Sequence, residues 1–260
     1  MSPKKRLLTK EDGPPVTVLN AAGTSDVVLV CDHAGRQIPA ALGTLGLSER
    51  ELGSHIAWDI GARGVAESLA DRLDAPLILQ HFSRLVIDCN RLPSASDSIT
   101  TVAEWGPVSG NEHLEAAEIA ARHAEIFVPY HDALAALLDK RKADGRRSVL
   151  LAIHSFTPSL RGIDRPWHVG VMHGPAPGLA TAVVEFLRRD PRLDVGVNQP
   201  FALDDEVDYT LPHHGAARGI PHLGIEIRQD LVADEAGQKS WAGRLASLLR
   251  QLGPSLSRDG

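Results

Sequence analysis

Short apolar runs that end in chemically capable polar residues are the feature that most constrains the fold of this chain. Residues 27–31 lead into His33, and residues 148–153 lead into His154. Short β-branched runs of this kind predict buried strands. In open α/β sheets, ligands bind at the carboxyl ends of the strands. The sequence therefore predicts an α/β fold in which the two histidines meet at one edge of the sheet, the layout of a hydrolytic metal site.

The alternation of strand-like and helix-like segments predicts one α/β domain over residues 26–256, preceded by an N-terminal arm over residues 1–25. The arm is expected to be loosely ordered or to form a short edge strand. Strands are predicted at about 27–31, 77–80, 84–88, 148–153, 168–172, 193–197 and 223–227. Helices are predicted at about 48–73 with a break at Gly53, at 111–143 with a kink or split at Pro129, at 177–189 and at 234–252.

Composition excludes several classes of protein. The 260-residue chain carries a net charge of -6, so it lacks the basic surface expected of a nucleic-acid partner. Its two cysteines, Cys31 and Cys89, fall in predicted core segments and are expected to be buried free thiols. No secretory signal and no membrane-spanning stretch is recognisable. We expect a cytoplasmic protein without a membrane partner, and a homo-oligomer remains possible.

The histidines at the strand ends predict a metal site. Imidazole is the most common metal ligand, and catalytic zinc takes three protein ligands and one water. His33 and His154 supply two ligands, and a carboxylate is the natural third. Asp59 is one candidate, although an Asp at a helix start also serves as an N-cap. Asp32 is the other, but strand alternation should turn its side chain away from that of His33.

A glutamate and several cationic residues complete the predicted site. Glu226 lies inside an apolar strand, where an unpaired carboxylate is costly to bury. It is interpreted as a general base, or alternatively as the partner of Arg228 in a structural ion pair. Arg91 follows a predicted strand and suits the capture of a substrate carboxylate, unless it is a surface residue. The basic residues predicted to bind the substrate are Arg84, Arg91, Arg228 and His213.

Several short strings, in order along the chain, resemble those of the N-formylglutamate amidohydrolase family. The strings are Asp32–Gly35, Ser83–Arg91, Tyr130–His131, Ile153–Phe156, Asn198–Pro200 and Ile225–Asp230. That family is placed with the zinc carboxypeptidases and aspartoacylases. The resemblance implies a three-layer α/β/α fold with a mixed, mostly parallel sheet of about eight strands. It also implies one Zn²⁺ per chain at the carboxyl edge of that sheet.

The resemblance also implies roles for individual residues. Asn90 and Arg91 would bind the substrate carboxylate, and Glu226 would activate the attacking water. His33 and His154 would bind zinc. The wider group has a glutamate three residues after the first histidine, whereas Arg36 stands there in this chain. Asp59 is therefore the candidate for the third metal ligand.

Together these observations predict a metal-dependent amidohydrolase. Its substrate would be a small N-acyl amino acid with a free carboxylate, such as N-formylglutamate. A deacylase or peptidase of different acyl specificity is an alternative within the same class. A binding protein that kept the carboxylate pocket and lost the metal is an alternative from another class, and Arg36 is the feature that favours it.

Overall fold

A seven-stranded mixed sheet forms the centre of the computed structural model, which describes residues 6–253. Its strands, in chain order, are β1 (Val16–Leu19), β2 (Val27–Cys31), β3 (Leu77–Gln80), β4 (Val149–Phe156), β5 (Val169–Met172), β6 (Val195–Val197) and β7 (His222–Arg228). Their order across the sheet is β1-β3-β2-β4-β7-β5-β6. Strands β3, β2, β4 and β7 are parallel to one another, as are β5 and β6, and the β1–β3 and β7–β5 pairs are antiparallel. The predicted mixed, mostly parallel sheet is confirmed, with seven strands where about eight were expected.

Helices cover both faces of this sheet. The longer ones are α2 (Ala62–Leu73), α4 (Val128–Ala143), α5 (Gly178–Leu187) and α7 (Glu235–Leu252), and shorter ones are α1 (Glu49–Leu52), α3 (Ala116–Arg122) and α6 (Thr210–His214). Alternate residues of β2 face different cores, because successive strand side chains point to opposite faces. Leu29 belongs to the core cluster that includes residues of α2, α5 and α7, whereas Val28 and Val30 belong to the cluster that includes residues of α4. The predicted three-layer architecture is therefore present.

The segment predicted as a strand at 84–88 is a chain of turns instead. Leu85 and Val86 are buried, which explains the strand-like pattern. Their backbone groups, however, bond to side chains and within the turn rather than to a neighbouring strand. The Ser83 hydroxyl accepts from the Leu85 N–H and donates to the Ala57 carbonyl, and the Asn111 side chain donates to the Leu85 carbonyl.

The predicted long helix over 111–143 is divided. Helix α3 passes into a π-helical turn at His123–Phe127, and α4 begins at Val128 with Pro129 in its first turn. Proline is tolerated there because the first backbone N–H groups of a helix have no intrahelical acceptor. The predicted split therefore lies where the π-helical turn meets α4.

The N-terminal region packs against the domain rather than standing apart from it. Residues 16–19 form β1 at the edge of the sheet, which is the short edge strand considered above. The backbone N–H groups of Leu7 and Leu8 donate to the Glu125 carboxylate. Residues 1–5 and the predicted domain end at 256 lie outside the described residues. Within residues 6–253, no helix has both the length and the apolar character needed to cross a membrane.

Candidate active site

The predicted functional residues gather at the carboxyl ends of β2, β4 and β7. His33 lies two residues after β2, and His154 lies inside β4, which continues to Phe156 rather than ending at 153. The parallel pairing of β4 with β7 places Glu226 directly beside His154. Residues paired in this way point to the same face of a sheet. The register itself therefore brings the histidine and the glutamate together.

Two glycines allow the chain to hold its ligand candidates close to the sheet. A Cβ on Gly35 would lie 1.8 Å from the His81 carbonyl oxygen, so only glycine fits the turn after His33. Gly61 has a φ of 80° and precedes α2, where a Cβ would lie 2.1 Å from the Val232 carbonyl oxygen. Positive φ is accessible to glycine without strain. Gly61, and not Asp59, is therefore the N-cap of α2, which leaves the Asp59 carboxylate free to face the histidines.

Asp59 bridges the two histidines. Its Oδ2 atom lies 2.8 Å from Nδ1 of His154 and 3.3 Å from Nδ1 of His33. The three buried side chains offer ligand atoms that all lie within 4.8 Å of one another. Two imidazole nitrogens and one carboxylate oxygen form a donor set that suits Zn²⁺.

The far nitrogen of each histidine meets a further carboxylate. His33 Nε2 lies 2.7 Å from Asp88 Oδ1, and His154 Nε2 lies 3.2 Å from Asp32 Oδ2. Metal-bound histidines usually contact a carboxylate or carbonyl through their second nitrogen, which fixes the orientation of the ring. Asp32 therefore lies behind His154, on the side away from Asp59. Its other oxygen accepts hydrogen bonds from the hydroxyls of Tyr130 and Thr210.

These carboxylates make the cluster favourable for positive charge. Burial alone would lower the pKa of His154, but the carboxylates of Asp32 and Asp59 beside its ring outweigh that effect and raise the pKa well above its usual value. Burial likewise opposes ionisation of Asp59, yet His33 and His154 hold its pKa far below the usual range. A buried cluster that stabilises protonated histidines also suits a cation bound between the same nitrogens.

Glu226 differs from the other carboxyl groups of the site. Burial raises the pKa of Glu226 to about 7, although His154 acts in the opposite direction. Its Oε2 atom is buried and has no hydrogen-bond partner among residues 6–253. A carboxyl group with a pKa near neutrality is matched to accepting and returning a proton.

A cavity of about 370 Å³ opens beside this cluster. Arg84, Asn90 and Arg91, three of the residues that the sequence proposes for substrate binding, line it, and each is bonded to an acidic or polar neighbour. Arg84 pairs with Asp88 at 2.6 Å. The guanidinium of Arg91 pairs with Asp208 at 2.5 Å and with Asp97 at 3.2 Å. Both aspartates lie outside the strands of the central sheet.

Two predicted substrate-binding residues do not line this cavity. Arg228 pairs with Asp230 at 2.8 Å and donates to the Pro166 carbonyl, so it forms no ion pair with Glu226. His213 stacks on Tyr209, with ring centroids 4.6 Å apart. Arg36, at the position of the expected glutamate, is exposed and lies over the Trp58 ring.

Other residues of the cavity were not found from the sequence. Arg165, Phe201 and Asp208 line it from two long polar segments, and His55 pairs with Glu104 at its rim. None of these residues follows an apolar run, so the strand-end rule that identified the histidines could not reach them. Asp88, which contacts His33 but does not line the cavity, does follow the apolar run at 85–87, so a sequence signal for it was available.

A polar cavity at the carboxyl edge of a mixed sheet, lined by a buried glutamate, is the arrangement of a ligand site in an open α/β fold. The N-formylglutamate amidohydrolase family profile matches residues 25–233. The chain belongs to this family, and so to the amidohydrolases. No functionally curated protein matches the chain.

Solved structures agree on the fold. The gene product Atu2144 from Agrobacterium tumefaciens is 40% identical and superposes with a TM-score of 0.93, covering 97% of this chain and 100% of its own. The N-formylglutamate amidohydrolase from Ralstonia eutropha JMP134 is 20% identical, with a TM-score of 0.66 over 94% of this chain and 98% of its own. This second likeness supports the fold alone. The family profile confirms the resemblance seen in the sequence.

Proposed function

We propose that the protein is a metal-dependent hydrolase that cleaves the amide bond of a small N-acyl amino acid, with N-formyl compounds as the first candidates. The observation that carries this proposal is the meeting of two histidine Nδ1 atoms and Asp59 Oδ2 beside an unpaired, buried Glu226. The family of the chain supports the amide bond as the target.

His33, Asp59 and His154 would hold the metal ion, and zinc is the ion whose preferences match these donors. Bound there, the ion supplies Lewis-acid polarisation of the scissile carbonyl and makes the attacking water more acidic. Asp88 and Asp32 orient the two imidazole rings through their second nitrogens. This arrangement leaves both Nδ1 atoms directed at the same point as the carboxylate.

Glu226 is the proton carrier of the proposed reaction. Its free oxygen accepts a proton from the attacking water, and the same oxygen returns a proton to the leaving amine nitrogen. A pKa raised by burial to about 7 suits both transfers at neutral pH. The β4–β7 register keeps this group beside His154 without any loop movement.

Asn90 and Arg91 are proposed to bind the free carboxylate of the substrate. Arg91 lines the cavity and has a planar guanidinium suited to a carboxylate. Arg84 lines the cavity next to the metal ligands, with one nitrogen 3.8 Å from Asp59 Oδ1, so it lies nearer the scissile bond. The proposed substrate thus spans from Glu226 to Arg91.

Elemental analysis of the purified protein tests the proposal most directly. We expect about one zinc per chain, and loss of most of it in His33→Ala and His154→Ala. His213→Ala is the matched control, because His213 lies outside the cavity and should leave the metal content unchanged. Undiminished zinc in both site variants would refute the metal site.

Hydrolysis assays on N-formyl and N-acetyl amino acids then identify the acyl specificity. Cleavage of N-acetyl compounds alone would favour a deacylase of different specificity. A protein that contains no metal and binds amino acids without cleaving them would be the carboxylate-binding alternative.

A further inference from the structure

Three arginines line the cavity, and they differ in how their charge is compensated. Arg84 pairs with Asp88, and Arg91 pairs with Asp208 and Asp97. Arg165 forms no hydrogen bond through its side chain and no ion pair with any of residues 6–253. It is therefore the cation of this cavity whose donors are available to a ligand.

The backbone holds Arg165 firmly at the cavity wall. It follows the hairpin formed by residues 159–164, and its N–H donates to the Pro158 carbonyl at 2.8 Å. This bond closes the base of the hairpin. The side chain is partly buried rather than extended into solvent.

The guanidinium of Arg165 packs over the ring of Phe201, with 5.0 Å from Cζ to the ring centroid. Phe201 comes from the segment after β6 and is 42% exposed, which is unusual for a phenylalanine. Stacking on a ring occupies the flat face of a guanidinium and leaves its N–H edge free for an anion. The two side chains together form one wall of the cavity.

Two carboxyl groups, those of Glu226 and Glu104, lie near Arg165, but neither forms an ion pair with it. Burial lowers the pKa of Arg165, and the charges of Glu226 and Glu104 oppose that effect. Glu104 already pairs with His55.

We propose that Arg165 determines the specificity of the site by binding a second anionic group of the substrate, distal to the scissile amide. The inference rests on the proposed function for the reaction, although the binding it describes can be measured without turnover. A substrate with one carboxylate on Arg91 and another on Arg165 would be held at two points. An uncharged side chain would leave the Arg165 edge without a partner.

The test compares a charged substrate with its uncharged isostere in three proteins. The kcat/KM values of N-formyl-L-glutamate and N-formyl-L-glutamine are measured for the wild type, Arg165→Gln and Arg161→Gln. Arg161 is the matched control, because it lies in the same hairpin, is exposed and does not line the cavity. Calorimetric binding of L-glutamate and L-glutamine, which contain no acyl bond, is measured on the same proteins.

We expect the wild type to prefer N-formyl-L-glutamate to N-formyl-L-glutamine. In Arg165→Gln this preference should fall about 10- to 100-fold, because a hydrogen-bonded charge pair is lost. The loss should appear in KM, and Arg161→Gln should retain the wild-type preference. An unchanged preference in Arg165→Gln, or an equal loss of kcat for both substrates, would overturn the inference.

Failure of the proposed function gives a different result. If the wild type hydrolyses neither compound, that function is wrong, and calorimetry alone decides the role of Arg165. Glutamate binding that weakens about 10- to 100-fold in Arg165→Gln would still support the inference. Equal affinity of the wild type for glutamate and glutamine would reject it.

Discussion

The protein contains two pairs of buried histidines that favour opposite charge states. His33 and His154 are each 3% exposed, and His131 and His214 are 5% and 1% exposed. Burial acts to lower the pKa in both pairs. Carboxylates overcome it at His33 and His154, whose pKa values are raised. In the second pair burial prevails, and it lowers the pKa to about 4 for His131 and to about 3 for His214.

The difference lies in the neighbours. Nδ1 of His131 lies 3.0 Å from Nε2 of His214, and Nε2 of His131 donates to the Cys89 carbonyl. Since a carbonyl can only accept, a neutral His131 must accept through Nδ1 from Nε2 of His214, so the hydrogen bond between the two rings forms while both are neutral. Phe127 and Tyr209 pack against the His131 ring. The comparison teaches that the number of adjacent carboxylates, not the depth of burial, decides which buried histidines can form a cation site.

The largest expected effect concerns Glu226, the carboxyl group of the active site that differs from its neighbours. Glu226 lies among carboxylates with lowered pKa values, yet its own pKa is raised. Glu226→Gln should lower kcat about 10²- to 10⁴-fold, because the amide cannot accept the proton of the attacking water. Zinc content should stay near that of the wild type. Steady-state kinetics together with elemental analysis measure both quantities.

Glu67→Gln is the matched control, since Glu67 forms a surface pair with Arg63 far from the cavity lining. It should leave kcat unchanged. Near wild-type turnover in Glu226→Gln would exclude the assigned role as proton carrier.

The second expected effect separates the two aspartates that contact His154. Asp59→Asn should weaken zinc binding more than Asp32→Asn, because Asp59 lies against both histidines, whereas Asp32 contacts just one of them, at the far nitrogen of His154. Loss of such an outer carboxylate typically weakens metal binding about 10- to 100-fold. Competition with a chromophoric chelator measures the affinities. Equal losses, or a larger loss in Asp32→Asn, would point to Asp32 as the ligand.

The smallest effect tests the neutral pair through the pH dependence of stability. The pKa values of His131 and His214 in the folded protein lie below the usual 6.5 of the unfolded chain. The unfolded state therefore binds protons first, so the free energy of unfolding falls as the pH drops below about 6.5 and the fall ends near the folded pKa. Between pH 7 and pH 4.5, the free energy of unfolding should fall by about 2 kcal/mol less in His131→Gln than in the wild type.

Urea unfolding at several pH values measures this difference. Both proteins carry the same His33 and His154, so the contribution of that cluster cancels in the comparison. Parallel pH profiles in the two proteins would show that the His131–His214 pair is not what titrates.

Much of the fold was predictable because buried strands appear in the sequence as short apolar runs. The strands at 27–31 and 77–80 match the predicted positions, and the strand at 222–228 differs by a residue at each end. The prediction of a strand at 84–88 was wrong, because an apolar run indicates burial but does not specify the hydrogen-bond partners of the backbone. Its partners, including Asn111, are distant in sequence.

The site was only partly predictable for a related reason. His33, His154 and Glu226 occupy strands or the turns directly after them, where the sheet geometry determines their direction. Arg165 and Asp208 lie in aperiodic segments whose paths depend on tertiary contacts. His213 and Arg228 were assigned to the substrate from chain proximity alone, and their own neighbours turn them elsewhere.

The side-by-side placement of His154 and Glu226 on adjacent parallel strands has an evolutionary consequence. Neighbouring strands are separated by about 4.8 Å in any sheet, so the spacing of these two groups is inherited with the backbone hydrogen bonds. The hairpin at 159–164 and the segment after β6, by contrast, can accept substitutions and insertions without disturbing that spacing. Descendants of such a chain could acquire new substrates by changing the loops while the reaction itself stays the same.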